Sequence, residues 1–272
     1  MLPTPGIEAA PLPPPRPRRN PLNRAFKKLR SALSFPRSGT GSSTAGEADS
    51  SAATERGRSR YKKIETVEFY VGPTLKRFTI HRDLLLPIPY FPRPSATGVE
   101  SFEERSFDFP DFEEQSFKLF VQRLRKGGKS LHRPTDFYGL QDYLGLYVIG
   151  DQFNYEALKN EAMDFVRAYY RDKNMAAPPY RLEYIYEATK TPNKMREFLV
   201  HTAAYKMLCE KEVPAPGMCE VVGKGGELAV DLLKAVLNFH HNGMTDARRN
   251  DLNCQWHEHV QTVKCPGSGI GS

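Results

Sequence analysis

Four side chains near the C-terminus have the chemistry of metal ligands. Cys254, His257, His259 and Cys265 offer two thiols and two imidazoles at C-x2-H-x-H-x5-C. This is not one of the common structural zinc spacings. A metal site and a surface-docked or disordered tail both stay open, and no metal or cofactor is assigned. His81 is the other residue that invites a chemical role, as a general base at a strand-to-helix junction. No Gly-x-Ser-x-Gly elbow and no phosphate-binding loop accompanies it, so it reads as a buried, hydrogen-bonded structural histidine and the chain as noncatalytic. The carboxylate pairs Glu103-Glu104 and Glu113-Glu114 read as solvated loop charges.

The elements that would position these residues follow from composition and periodicity. The 272 residues fit two domains, or one with sizeable flanks. Apolar residues make up 39%, and Pro plus Gly reach 42, so part of the chain is expected to be unfolded. Charge locates that part. Residues 1–63 carry 13 Lys/Arg against 4 Asp/Glu, net +9, which leaves 26 against 28, net −2, for residues 64–272. The arm also holds 9 prolines and a Ser/Gly/Thr/Ala tract over Ser38 to Thr54, a composition that buries too little apolar surface to offset its ordering entropy.

Within the arm, Leu22, Phe26, Leu29 and Leu33 recur at helical spacing among Arg24, Lys27, Lys28 and Arg30. Residues 16–37 thus read as a basic segment around a short amphipathic helix. Contact with anionic lipid or nucleic acid, nuclear targeting, an import signal and no specific partner all remain open. No apolar stretch approaches the roughly 18–20 residues of a membrane span. The four cysteines sit in the last quarter and no Asn-x-Ser/Thr site occurs, which favours a reducing compartment, nucleus or cytoplasm.

The folded part is expected from about Ile64. Val67, Phe69 and Val71 alternate, Gly72 and Pro73 turn the chain, and Phe78 and Ile80 resume the alternation, which predicts a hairpin. Asp83 to Leu86 predicts a short helix limited by Pro87 and Pro89. Phe107 and Phe109 predict a third strand. Asp111 or Ser116 would cap a helix carrying Phe117, Phe120, Val121 and Leu124, stopped by Gly127 and Gly128. Burying those four side chains is worth about 1.5–3 kcal/mol each, so the stripe is core. Helices around Leu140 to Val148 and Leu158 to Tyr169 follow. Beyond Pro178 and Pro179, two more are predicted over residues 180–208, and another from Glu227 to Phe239 after Gly223 to Gly226.

The segments FTIHRDLLLPIPYF, FEERSFDFPDFEEQSFKLFVQRLRKG and LGLYVIGDQFNYEALKNEAMDFV resemble the BTB/POZ domain in the divergent form of filamentous fungi. The match runs through Phe78, Ile80, His81, Arg82, Leu85 and Tyr90-Phe91. It continues with Glu104, Phe109, Asp111, Phe117, Phe120, Leu124 and Gly127, then Leu146, Ile149, Asp151, Phe153, Leu158 and Asn160. The resemblance implies an α+β BTB/POZ fold, a small three-stranded sheet with a cluster of helices. It divides the chain into a disordered basic arm (1–62), a BTB/POZ domain (63–172), a helical extension (178–245) and a flexible tail (246–272). The implied function is protein–protein interaction as scaffold or adaptor. Dimers of the family form through the first helix, here Leu84, Leu85 and Leu86, and members that recruit a cullin ubiquitin-ligase scaffold carry an apolar-x-Glu tripeptide. Phe102-Glu103-Glu104 fits that pattern, with Phe102 as anchor and Glu104 as polar clamp. Where many members place an Asp at the first strand this chain has Glu65-Thr66, where they place a small Ser it has Ile88, and its helix end is the basic Arg123-Leu124-Arg125.

Overall fold

The computed structural model describes residues 66–91, 106–127, 131–190, 192–209, 216–249 and 254–265. The basic arm, with residues 16–37, lies outside them.

Three strands form one sheet in the order β2-β1-β3: β1 (Thr66–Val71), β2 (Lys76–His81) and β3 (Ser106–Phe109). The period-2 pattern of β1 puts Val67, Phe69 and Val71 on one buried face, as a central strand requires. Gly72 at φ +76° and Leu75 at φ +52° close the turn to β2, which pairs antiparallel with Phe69 opposite Phe78. β3 runs parallel to β1, with Phe69 opposite Phe107.

After β2 the chain does not make a regular α-helix. Arg82–Leu84 is a 3-10 turn, and Leu85, Ile88 and Phe91 each donate a backbone N–H to the carbonyl three residues back. Three residues per turn place side chains at i and i+3 in line. Leu85, Ile88 and Phe91 are therefore all buried, while Pro87 and Pro89 face out.

Seven helices complete the described residues: α1 (Glu114–Arg125), α2 (Gly139–Gln152), α3 (Glu156–Asp172), α4 (Pro179–Ala188), α5 (Lys194–Cys209), α6 (Pro216–Gly223) and α7 (Gly226–Asn242). The fold is α+β. The α1 stripe is buried as its spacing predicts, but neither expected cap acts: Glu113 is the extended N-cap residue and no side chain caps the helix. Ser116 lies inside the first turn, buried against α2. Pro179 starts α4 at a position where its missing N–H costs nothing. The eight-residue α6, with Pro and two Gly, shows no helical stripe in sequence and was not expected.

The sheet packs on an aromatic cluster. Phe69 has the rings of Phe91, Phe107 and Phe117 at 5.8, 5.5 and 5.4 Å, and Phe153 of the α2–α3 turn meets Phe91, Phe109 and Phe120 at 5.2, 5.3 and 5.5 Å. Helix α2 is buried over Tyr143 to Gly150, so it is the central helix. The same apolar cluster continues through Phe198 of α5 and Phe239 of α7 to Trp256. Buried arginines tie the extension down. Arg181 of α4 stacks on Phe137 at 4.0 Å and reaches Tyr170 Oη at 3.3 Å. No helix among the described residues is long and apolar enough to cross a membrane.

Candidate functional site

The residues expected to dock partners are placed unequally. Leu85 is fully buried in the core, whereas Leu84 and Leu86 are half-buried and keep accessible surface beside the sheet. Phe102 and Glu104 lie outside the described residues. His81 is exposed at the end of β2, not buried as expected, because the core face of that strand is taken by Ile80. Glu114 is not a loose loop charge either. As the first residue of α1 it accepts a hydrogen bond from Thr74 Oγ1 at 2.5 Å and faces Lys76 Nζ at 3.5 Å, which fastens the hairpin turn to the helix. Those contacts hold its carboxyl below the usual range, the Thr74 bond foremost.

Helix α7 carries a surface that the sequence pattern understates. Leu228, Leu232, Ala235 and Phe239 face inward and are buried. Val230, Leu233 and Leu237, at i, i+3 and i+7 on the opposite side, are 51%, 60% and 48% exposed. A helix apolar on two faces is ordinarily buried on both. Exposed apolar patches larger than a few hundred square ångströms are the kind that mark interaction surfaces. The repeat was legible in sequence, but one stripe alone accounted for the packing.

The third feature is a clasp formed by residues 254–265, which contain no helix or strand. Glu156, at the first position of α3, receives the backbone N–H groups of Val260, Gln261 and Thr262 at 2.8, 3.0 and 2.7 Å, and the Thr262 hydroxyl. Burial raises its pKa, but the Thr262 hydroxyl and these N–H groups outweigh burial and hold the carboxyl below its ordinary value. One turn on, Asn160 brackets Glu258, donating to its carbonyl at 2.7 Å and accepting from its N–H at 2.9 Å. Lys159 Nζ pairs with the Glu258 carboxylate. Trp256 is buried against Phe198 and His201 of α5, with ring centroids at 5.4 and 5.6 Å. Ala247 and Arg248, earlier in the same C-terminal stretch, are also buried.

The clasp gathers the four candidate ligands of the C-terminal stretch. Cys254 Sγ is 3.1 Å from His259 Nε2, Cys265 Sγ is 3.7 Å from the same nitrogen, and His257 Nδ1 is 3.1 Å from Cys265 Sγ. Asp164 of α3 faces the other nitrogen of His257 at 2.9 Å. The sequence pattern points to neither Asp164 nor Thr262, since they act across 93 and 106 residues of chain. No family model, no curated protein and no solved structure matches this chain.

Proposed function

We propose that this chain is a noncatalytic protein–protein interaction module of the BTB/POZ kind, which self-associates or holds a second polypeptide as scaffold or adaptor. The observation that carries this reading is the open apolar face of α7, Val230, Leu233 and Leu237, set on a helix whose inner face is already packed. The order hairpin, 3-10 turn, parallel third strand and helices α1 to α3 is in keeping with the domain the sequence resembles. Apolar burial would supply affinity, with the charged rim setting partner choice. Leu84 and Leu86 are the surface-reaching members of the expected dimer segment. A cullin-type ligase scaffold is one partner within this reading, through Phe102 and Glu104, and Glu104→Lys should abolish its recovery.

Light scattering of the full chain over a range of concentrations, joined to affinity purification with mass spectrometry, tests the proposal. Either a particle mass above one chain or a specifically recovered protein is expected. A monomer that recovers nothing above control rejects it.

Charge segregation favours a second reading, in which the basic arm of a nuclear regulatory protein contacts nucleic acid or acidic partners through residues 16–37. The net charge is +9 over residues 1–63 against −2 for the rest. Counterion release then requires nucleic-acid binding that falls steeply with salt and disappears on deletion of residues 1–62. Salt-insensitive binding would refute it.

A further inference from the structure

We propose that Cys254, His257, His259 and Cys265 form a closed structural zinc site that staples the C-terminal clasp in the shape that packs on α3 and α5. This inference is independent of the interaction reading.

Geometry is the first support. Zn–S bonds of about 2.3 Å and Zn–N bonds of about 2.0–2.1 Å, arranged tetrahedrally, separate a sulfur from a nitrogen donor by about 3.5 Å. The sulfur–nitrogen separations here are 3.1, 3.1 and 3.7 Å. The donor atoms of Cys254, His259 and Cys265 all lie within 4.8 Å of one another; His257 Nδ1 is 3.1 Å from Cys265 Sγ but stands outside that set, so it becomes the fourth donor only as its ring moves in on the metal. Neither cysteine is in a disulfide.

The surrounding hydrogen bonds are the second support, because they fix both imidazole tautomers. Asp164 Oδ1, a carboxyl oxygen that acts as acceptor, lies 2.9 Å from His257 Nε2. Nε2 therefore bears the proton, and the lone pair is on Nδ1, the nitrogen that faces Cys265. Thr262 has a single hydroxyl proton, and the groups that take it are Glu156 Oε1 at 2.5 Å and the Glu258 carbonyl at 3.1 Å, both acceptors only. At 3.2 Å from His259 Nδ1 the hydroxyl oxygen must then accept, so Nδ1 bears the proton and Nε2 turns its lone pair to both sulfurs. An acceptor behind each ligating histidine, usually a carboxylate, a carbonyl or water, is the common outer shell of a zinc site, and Asp164 and the Thr262 hydroxyl take that place here.

Charge and architecture agree. Two thiols lose their protons to solvent as Zn2+ binds, giving two thiolates, two neutral imidazoles and one dication, a neutral centre suited to a half-buried location. With His257 drawn in as the fourth donor, all four positions are filled by protein, as in a structural rather than a catalytic site. The twelve residues concerned have no helix or strand of their own, and a short irregular segment of this kind gains most from a metal staple.

Metal analysis of the purified full chain should find one zinc per chain. The Cys254→Ser, Cys265→Ser double variant should lose it, and the Cys209→Ser, Cys219→Ser double variant should keep it. A second measurement needs no variant: the chelator-stripped wild-type chain titrated with Co2+ should develop the intense visible bands of tetrahedral cobalt together with thiolate charge-transfer absorption, and Zn2+ should bleach both. A wild-type chain that takes up neither metal overturns the site. So does zinc retained in full by the Cys254→Ser, Cys265→Ser variant, or an intact mass two hydrogens low from a disulfide between these cysteines.

Discussion

Gly145 of α2 and Ser116 of α1 meet where their helices cross, so closely that a Cβ on Gly145 would stand 2.7 Å from the Cβ of Ser116. That separation is shorter than packed carbons tolerate, and both residues are fully buried. Gly145 is thus needed for close approach, not for backbone freedom.

Gly145→Ala should overpack this crossing and lower stability by about 1–3 kcal/mol. Ser116→Gly in the same background should recover much of the loss, since it removes the atoms in conflict. Ser116 Oγ has no hydrogen-bond partner among the described residues, so Ser116→Ala in the native background should be close to neutral. Urea midpoints at constant slope would measure all three.

Arg196 and Glu227 form an ion pair at 2.6 Å between α5 and α7, yet its two ends are unequal: the Arg196 side chain is 5% exposed and that of Glu227 62%. Arg196 also donates to Thr189 Oγ1 at 2.9 Å and to the Tyr186 carbonyl at 2.8 Å. Arg196→Met should therefore cost at least about 1.5–3 kcal/mol, the range for a hydrogen bond to a charged group. Glu227→Gln should cost under about 1 kcal/mol, as exposed ion pairs do. Equal losses in thermal or chemical denaturation would contradict this division.

Glu156 anchors the clasp, and Trp256, the single tryptophan of the chain, reports on it. Glu156→Ala leaves the N–H groups of Val260, Gln261 and Thr262 without their acceptor. Trp256 emission should shift to the red in this variant while the helical circular dichroism stays close to wild type. Faster hydrogen exchange at those three amides would accompany the shift.

Acid should act on the same contact. The Glu156 pKa is lower in the folded chain than in the unfolded one. Its stabilising contribution is therefore fully present above the unfolded carboxyl value, about 4.3, and is lost as pH falls through the folded value. A pH titration of Trp256 emission should show release on the acid side, with the Glu156→Gln variant lacking that component.

Legibility of the fold followed the range of the interactions. Local period-2 and helical patterns located β1, β2, β3, α1 and the major later helices, because Val67, Phe69 and Val71 or Phe117, Phe120 and Leu124 mark a buried face within a few residues. Features set by distant partners were opaque. Ser116 has the residue type of a cap but lies inside the first turn, packed on Gly145, and His81 has the type of a structural histidine although Ile80 occupies the core face. The ligand types Cys254, His257, His259 and Cys265 were visible, but their spacing is uncommon. What orders them, Glu156, Asn160 and Asp164 on α3, lies roughly a hundred positions earlier in the chain.

The most direct test of the interaction reading is quantitative co-purification with the tagged full chain and its Leu233→Glu, Leu237→Glu variant, in which folding is checked by circular dichroism and Trp256 emission. Both substitutions fall on exposed positions and should leave the fold intact. The account predicts that copies of the chain or other proteins recovered with the wild type are depleted at least about tenfold in the variant, the effect of losing about 1.4 kcal/mol of binding. Recovery of the same proteins in the same amounts, or of none with either chain, would contradict it.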